Sequence, residues 1–309
     1  VGLAAGPGVK QVVTASAEGE LAVWDVPRQE KQFSWMVEGP VVSVDAALGG
    51  PIAVASSSGK VLLFPWGEER GTGDQLSVDV DSPVDVALSA DGAMLSVTDA
   101  AGEVHLFRVE SKGSAVRVEL VGRVPMPEPK DHWVWSKFSP DGRSLVTASP
   151  SAVLKCWTVP GLAWVRTEHR QHPVKDLAFD AHADAMVSVS AEPTTLIDSV
   201  PHGTRLASLM SGDSAGHSSV VFSGDGKNLL LGQSDGTLSV WDLVVHQEIF
   251  HDRTPLEDVL QMAMTFNGEQ LLLLGRDRLT GEALLLVRSA KVRDRPTGEL
   301  PLGASPSER

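Results

Sequence analysis

Residues able to do chemistry are present but scattered. Nine histidines could in principle ligate a metal. His105 lies within an apolar run, His169 and His172 flank an Arg-Gln pair, and His246 and His251 are five apart. None falls into an HExxH or a Cys/His pattern of defined ligand geometry, so each reads as a surface or hydrogen-bonded structural histidine. A cation held by ligands far apart in sequence stays open as the alternative. The single cysteine, Cys156, adjoins Trp157 and reads as a small buried hydrophobe; alone it forms neither an intrachain disulfide nor a Cys-rich zinc site. A Gly-x-Ser-x-Gly elbow is absent from the sequence. The glycine-rich stretches Ala5-Gly6-Pro7-Gly8 and Leu48-Gly49-Gly50-Pro51 precede strand-like runs, whereas a phosphate loop needs a helix after it. Asp91, Asp141 and Asp225 each stand before glycine and are explained by a turn. The expectation is a protein without catalytic pair, cofactor or metal.

Recognition chemistry is better represented. Trp133, Trp135 and Lys137 alternate, which places all three on one face of a strand and Val134, Ser136 and Phe138 on the other. Beside the proline-rich loop VPMPEPKDH they could anchor a peptide, since Trp is enriched in binding hot spots; packing between structural units is the competing reading. Arg276, Arg278, Arg288, Lys291, Arg293 and Arg295 form a basic region, and residues 67–81 an acidic one. Ordinary solvated surface is the commoner explanation of both, and either could instead face a neighbouring domain or partner.

The elements that position these residues must suit a chain of 309 residues, 42% hydrophobic and 21% charged, which is the balance of a folded globular protein. A net charge of -14 has the wrong sign for capturing a phosphate backbone, so nucleic acid is not expected as a partner. The apolar runs fall far short of the roughly 20 residues that span a bilayer. No membrane segment is expected within the chain, and the start at Val1 suggests a processed protein or a domain of a longer one. The compartment stays open, with the cytoplasm favoured.

Internal repetition organises everything else. VALSADGAMLSVTDAAGEVHLF (86–107), KFSPDGRSLVTASPSAVLKCW (137–157) and VFSGDGKNLLLGQSDGTLSVW (221–241) are copies of one phrase. In each, the turn aspartate precedes the closing aromatic by sixteen residues: Asp91 and Phe107, Asp141 and Trp157, Asp225 and Trp241. Weaker copies end at Trp24, Phe64, Asp198 and Leu286, the last two having lost the aromatic. Seven units of about forty residues fill the chain. Their runs are short, rich in Val, Leu and Thr, and separated by turn residues, with no sustained helical period. Asp-Gly and Asn267-Gly268 supply the positive φ of tight hairpins, so neighbouring strands are antiparallel. A lone four-stranded sheet cannot bury both faces, whereas seven arranged radially cover one another. The predicted fold is all-β: a seven-bladed β-propeller of four-stranded antiparallel blades.

FSPDGRSLVTAS, SDGTLSVWDL with its Trp241-Asp242 pair, and VWDV around Trp24-Asp25 resemble WD40 repeats. The resemblance implies a non-catalytic scaffold that binds a protein or peptide partner, or a neighbouring domain of its own chain, with no cofactor. The family's buried His, Ser/Thr, Asp and Trp network is incomplete here. The sixth unit has Asp235 and Trp241 but Leu231 in the hydroxyl position, and the first has Thr14, Glu18 and Trp24. His132, His172 and His217 sit near first strands but too close to the following Phe. The candidate partner-contacting residues are therefore Trp133, Trp135, Lys137, His172, His217, Glu18, Asp235, Arg276 and Arg278. The alternative is an enzyme or redox propeller, lactonase-like or quinoprotein-like, with its site at the axial channel.

The markers assign Val1–Ala5 to the innermost strand of unit one and Ala290–Arg295 to the outer strand of unit seven. Closure would then lack the exchange of a strand between the chain ends. The propeller is expected over 1–295, and 296–309 reads as a flexible tail or linker.

Overall fold

The computed structural model describes residues 2–6, 10–64, 76–78, 80–112, 115–124, 131–212, 215–265, 267–289 and 298–301. Among them there is no helix, and none therefore long and apolar enough to cross a membrane. Twenty-eight strands form seven antiparallel sheets, each of four strands consecutive in sequence. The blades span residues 2–36, 41–78, 83–124, 135–169, 174–210, 217–253 and 256–301. This is the seven-bladed β-propeller that the repeat predicts.

The hydrophobic core is divided into seven clusters, one at each joint between adjacent blades. Val23 and Val54 share the joint of blades one and two, and Leu63 and Leu95 that of two and three. Leu106 with Leu145, Cys156 with Leu177, Val187 with Leu229, and Leu238 with Leu271 mark the next four joints. The seventh cluster joins Leu272 and Leu285 to Leu3 and Val12, so the ring closes through packing of blade seven on blade one. Because the middle strands are covered on both faces, segments such as Ile52–Ser56 and Met94–Asp99 are buried at every position. Their apolar runs consequently lack the alternation of a half-exposed strand. Cys156 is buried in this packing, as the sequence anticipates, and desolvation pushes its thiol pKa up.

The turn phrase contains a residue that the spacing argument does not use. Ser89, Ser139 and Ser223 stand two positions before the turn aspartates and donate their hydroxyls to them at 2.6, 2.5 and 2.6 Å. Each aspartate also accepts the main-chain N–H two residues on, and the intervening Gly92, Gly142 and Gly226 have φ of 68°, 67° and 68°. A side chain there would be strained, which is why the phrase keeps glycine. Thr265, Asn267 and Gly268 repeat the arrangement in blade seven.

Hydrogen bonds between inner strands supplement five of the seven apolar joints. Equivalent positions on the inner strands hold Ser43, Asp85, Asp176, Ser219 and Gln261, and each accepts a hydrogen bond from the main chain of the next blade. The donors are the N–H groups of Val86, Ser136, Val220, Met262 and Leu3, at 3.2, 3.1, 3.0, 2.9 and 3.0 Å. Gln261 also donates to the Leu3 carbonyl at 2.7 Å, so a single amide pairs both main-chain groups of the first blade at the closure. The corresponding residue of blade one is Gly2, whose added Cβ would lie 2.9 Å from Val44, leaving no room for such a side chain. Closure without strand exchange is as the sequence anticipates. The outer strand of blade seven, however, is Gly298–Pro301, paired with Ala283–Ser289. The expected Ala290–Arg295 lies outside the described residues. The markers fix the spacing of the inner three strands and leave the position of the fourth open.

Two buried titratable groups in this region act in opposite senses. Burial, reinforced by the charge of Asp45, raises the Asp85 carboxyl to about 6 despite its hydrogen bonds from Ser136 and Ser43. Burial lowers His217 to about 4. Asp85 holds its proton in the folded chain where the unfolded chain has lost it, so its contribution falls as pH rises from about 4 to 6. His217 stays neutral where the unfolded imidazole is charged, so its contribution rises from about pH 4 to 6.5. Each shift corresponds to about 3 kcal/mol, and the two slopes offset one another. Asp85→Asn should therefore expose the histidine slope: urea denaturation should show a loss of about 3 kcal/mol between pH 6.5 and 4 that the parent chain lacks. An equally flat profile in both proteins would refute the assignment.

Candidate functional site

Several residues singled out in the sequence prove to be structural. Trp133 does not share a face with Trp135 and Lys137. The inner strand begins only at Trp135, so alternation does not extend back to Trp133. Trp133 is 0% exposed in the joint of blades three and four, edge-on to Trp157 at 6.5 Å. Trp135 packs on the opposite joint, toward blade five. Lys137 follows it there, donating to the Leu177 carbonyl at 2.6 Å and to Asp176 at 3.2 Å. Residues 125–130 of the adjoining proline-rich loop lie outside the described residues.

The network implied by the repeat resemblance is present only in fragments. Trp24 and Trp157 donate their indole N–H to Thr14 and Thr147 at 2.8 and 3.0 Å. In blade six the equivalent of those threonines is Leu231, and the Trp241 indole nitrogen has no hydrogen-bond partner among the described residues. His217 is buried and approaches Thr195 of blade five at 3.4 Å rather than Asp235. Asp235 caps its own turn through Thr237 N–H at 3.0 Å, and Glu18 sits exposed in the corresponding turn of blade one. Arg276 pairs with Asp258 at 2.6 Å, holding that carboxyl below its ordinary range, although desolvation works the other way. Arg278 donates to the carbonyls of Asp235 and Leu256 at 3.0 and 2.6 Å, tying blade seven to blade six. Lys291, Arg293 and Arg295 of the basic region, and 67–75 and 79 of the acidic one, lie outside the described residues.

His172 is the candidate that leads to a cavity. About 430 Å³ in volume, it lies between blades four and five and is lined on one wall by the segment from His169 to His172. The other wall is blade five, where Ser188, Ser190, Thr194 and Ser208 supply hydroxyls and Arg205 a guanidinium. His172 Nε2 is 3.5 Å from Glu192, which also lines the space.

Beneath the cavity runs a charge network that sequence reading missed. Arg166 and Glu168 occupy alternate positions on the outer strand of blade four, Arg170 follows directly after it, and the contacts of Arg166 and Arg170 reach blade five. Glu168 forms ion pairs with both arginines, its carboxylate oxygens lying 2.6 Å from Arg166 Nε and 2.5 Å from Arg170 Nη2. Arg170 also reaches Asp198 of blade five at 2.6 Å, and Asp198 takes Arg205 Nε at 2.6 Å. Arg166 extends to the Ser199 carbonyl at 3.0 Å and to that of Pro201. Arg170 and Asp198 are only 5% and 2% exposed, while Arg205 is 44% exposed at the cavity. The alternating charges of WVRTEHR were visible in the sequence; that Asp198, 28 residues on, would meet them was not.

The outer strands of blades four and five carry uncovered apolar side chains. Trp164 of blade four is 62% exposed, and on blade five Leu206 and Met210 are 55% and 70% exposed. Met210 stands two positions from Ser208 and shares its cavity-lining face, whereas a bulge between Arg205 and Ala207 leaves Leu206 outside that alternation.

One further group has the composition of a metal site. His105 Nε2 lies 2.9 Å from Asp99 and 3.8 Å from Glu103, their ligand atoms all within 4.8 Å of one another. Arg123 meets Glu103 at 3.2 Å, and the Asp99 carboxylate also caps its turn through Glu103 N–H. These contacts account for the cluster as a hydrogen-bonded turn. No family model and no curated protein matches the sequence of this chain.

Proposed function

We propose that this propeller is a non-catalytic binding platform of the WD40 type, engaging a protein or peptide partner along the outer strands of blades four and five. The observation that carries the reading is the exposure of Trp164, Leu206 and Met210, large apolar side chains on the outer strands of these two blades. Apolar anchors beside polar groups are the usual anatomy of a recognition surface, and Trp is the residue most enriched among its energetic centres. The inter-blade hydrogen bonds favour a rigid scaffold that keeps this surface preformed. The Trp-Asp dipeptides and the Trp24–Thr14 and Trp157–Thr147 pairs support a divergent WD40-like ancestry.

The test is a comparison of proteins that co-purify with the parent chain and with Trp164→Ala/Met210→Ala. Both side chains are exposed, so the variant should melt with the parent. Truncating an apolar anchor costs about 1–2 kcal/mol of binding, so recovery of the true partner should fall about tenfold or more. An unchanged set of partners would overturn this surface.

A second reading, an axial-channel enzyme, draws on Asp85 and Asp45, two neighbouring carboxyl groups whose pKa values burial raises. Their oxygens are engaged by the main chain of the next blade, Asp45 by Leu88 N–H at 2.8 Å, which favours a structural use.

A further inference from the structure

We propose that the cavity between blades four and five binds a phosphate monoester. The proposal stands on the chemistry of its lining and does not depend on a protein partner. In a chain of net charge -14, this wall presents two arginines, two histidines and four hydroxyls against one carboxylate, Glu192. The acids that balance the arginines, Glu168 and Asp198, are absent from the lining. They hold Arg170 and Arg205 from the far side, as the supporting layer of a preformed anion site would.

Neither guanidinium is exhausted by these contacts. Arg205 gives Asp198 its Nε, with nearly half of its side chain still exposed. Arg170 is almost wholly buried, lines the cavity, and has an Nε without a hydrogen-bond partner among the described residues. Arginine forks match the paired oxygens of an oxyanion, and hydroxyls on the facing wall can complete a tetrahedral rather than a planar set. The volume of about 430 Å³ exceeds a lone phosphate and suits an ester carrying a small organic group.

The experiment is calorimetric titration with inorganic phosphate and with acetate at constant ionic strength, on the parent chain, Arg205→Gln and Ser208→Ala. Arg205→Gln leaves Asp198 paired with Arg170, and Ser208 is exposed, so both variants should fold; thermal melts check this. Saturable phosphate binding is expected, weakened roughly tenfold or more by Arg205→Gln and about threefold by Ser208→Ala. Phosphate binding that neither substitution alters, or none up to tens of millimolar, would overturn the proposal. Acetate binding as tightly as phosphate would overturn the assignment to phosphate. Glycerol phosphate and a phosphoserine peptide titrated in parallel identify the carrier. Tighter binding of either than of inorganic phosphate, sensitive to Arg205→Gln, supports the ester site.

Discussion

Trp133→Ala should be among the most destabilising single changes in this protein, lowering the free energy of unfolding by about 3–5 kcal/mol. The ring is wholly buried in the joint of blades three and four, where contacts from both blades meet on it. Trp157 packs against it edge-on at 6.5 Å, Lys155 Nζ lies 5.9 Å from its centroid, and its main-chain N–H donates to the Gly102 carbonyl at 3.1 Å. Alanine retains the last of these and removes the others, leaving a void between sheets that are each fixed by their own hydrogen bonds and so cannot collapse far. Urea denaturation of Trp133→Ala and Trp133→Phe measures the effect, with phenylalanine expected to retain part of the loss. A change below about 1 kcal/mol in Trp133→Ala would mean that the joint does not rest on this residue.

Removal of the Asp198 carboxylate should cost a similar amount by a different mechanism. Asp198→Ala leaves Arg170, almost entirely buried, with Glu168 as its remaining partner, and releases Arg205 from its anchor. Breaking a buried pair costs about 3–5 kcal/mol because the surviving charge stays desolvated. Asp198→Asn keeps an acceptor of the same shape and should cost less, which separates lost charge from lost packing. The difference between parent and Asp198→Ala should persist when salt is raised from about 0.05 to 0.5 M, since buried pairs are little screened. A loss that vanishes at high salt would place the network in solvent and contradict the burial on which both the site and its preorganisation rest.

Much of the fold was legible because a propeller repeats its local chemistry. The sixteen-residue separation of Asp91 from Phe107, Asp141 from Trp157 and Asp225 from Trp241 reflects one turn, one strand, a second turn and a third strand. Glycine at a positive φ and a carboxylate capping the following N–H are demands that four or five adjacent residues meet by themselves. The serine two positions earlier recurs in all three copies, but its role depends on a side-chain bond that the spacing alone does not reveal. Trp133 was misplaced because a two-residue alternation holds only inside a strand, and the strand starts two residues later.

The candidate site was legible only in part, through His172. Its other principal residues are ordinary in isolation: an arginine at the outer edge of one blade, an aspartate and an arginine in the next, and hydroxyls spread over separate strands of that blade. The inter-blade hydrogen bonds were equally hidden. Ser43, Asp85, Asp176, Ser219 and Gln261 differ in chemistry and share only a position, and each is defined by a donor some 43 to 51 residues away or, for Gln261, at the other end of the chain.

The sequence by itself thus determined the number of blades, the class of fold and the turns that start each hairpin, since these follow from short-range preferences repeated seven times. Only the tertiary structure decided which faces meet, which charges lose their water and where a cavity remains. Those outcomes depend on pairs of residues from different blades, and burial, which sets both the pKa of Asp85 and the cohesion of Arg170 with Asp198, is a property of the closed ring and of no single repeat.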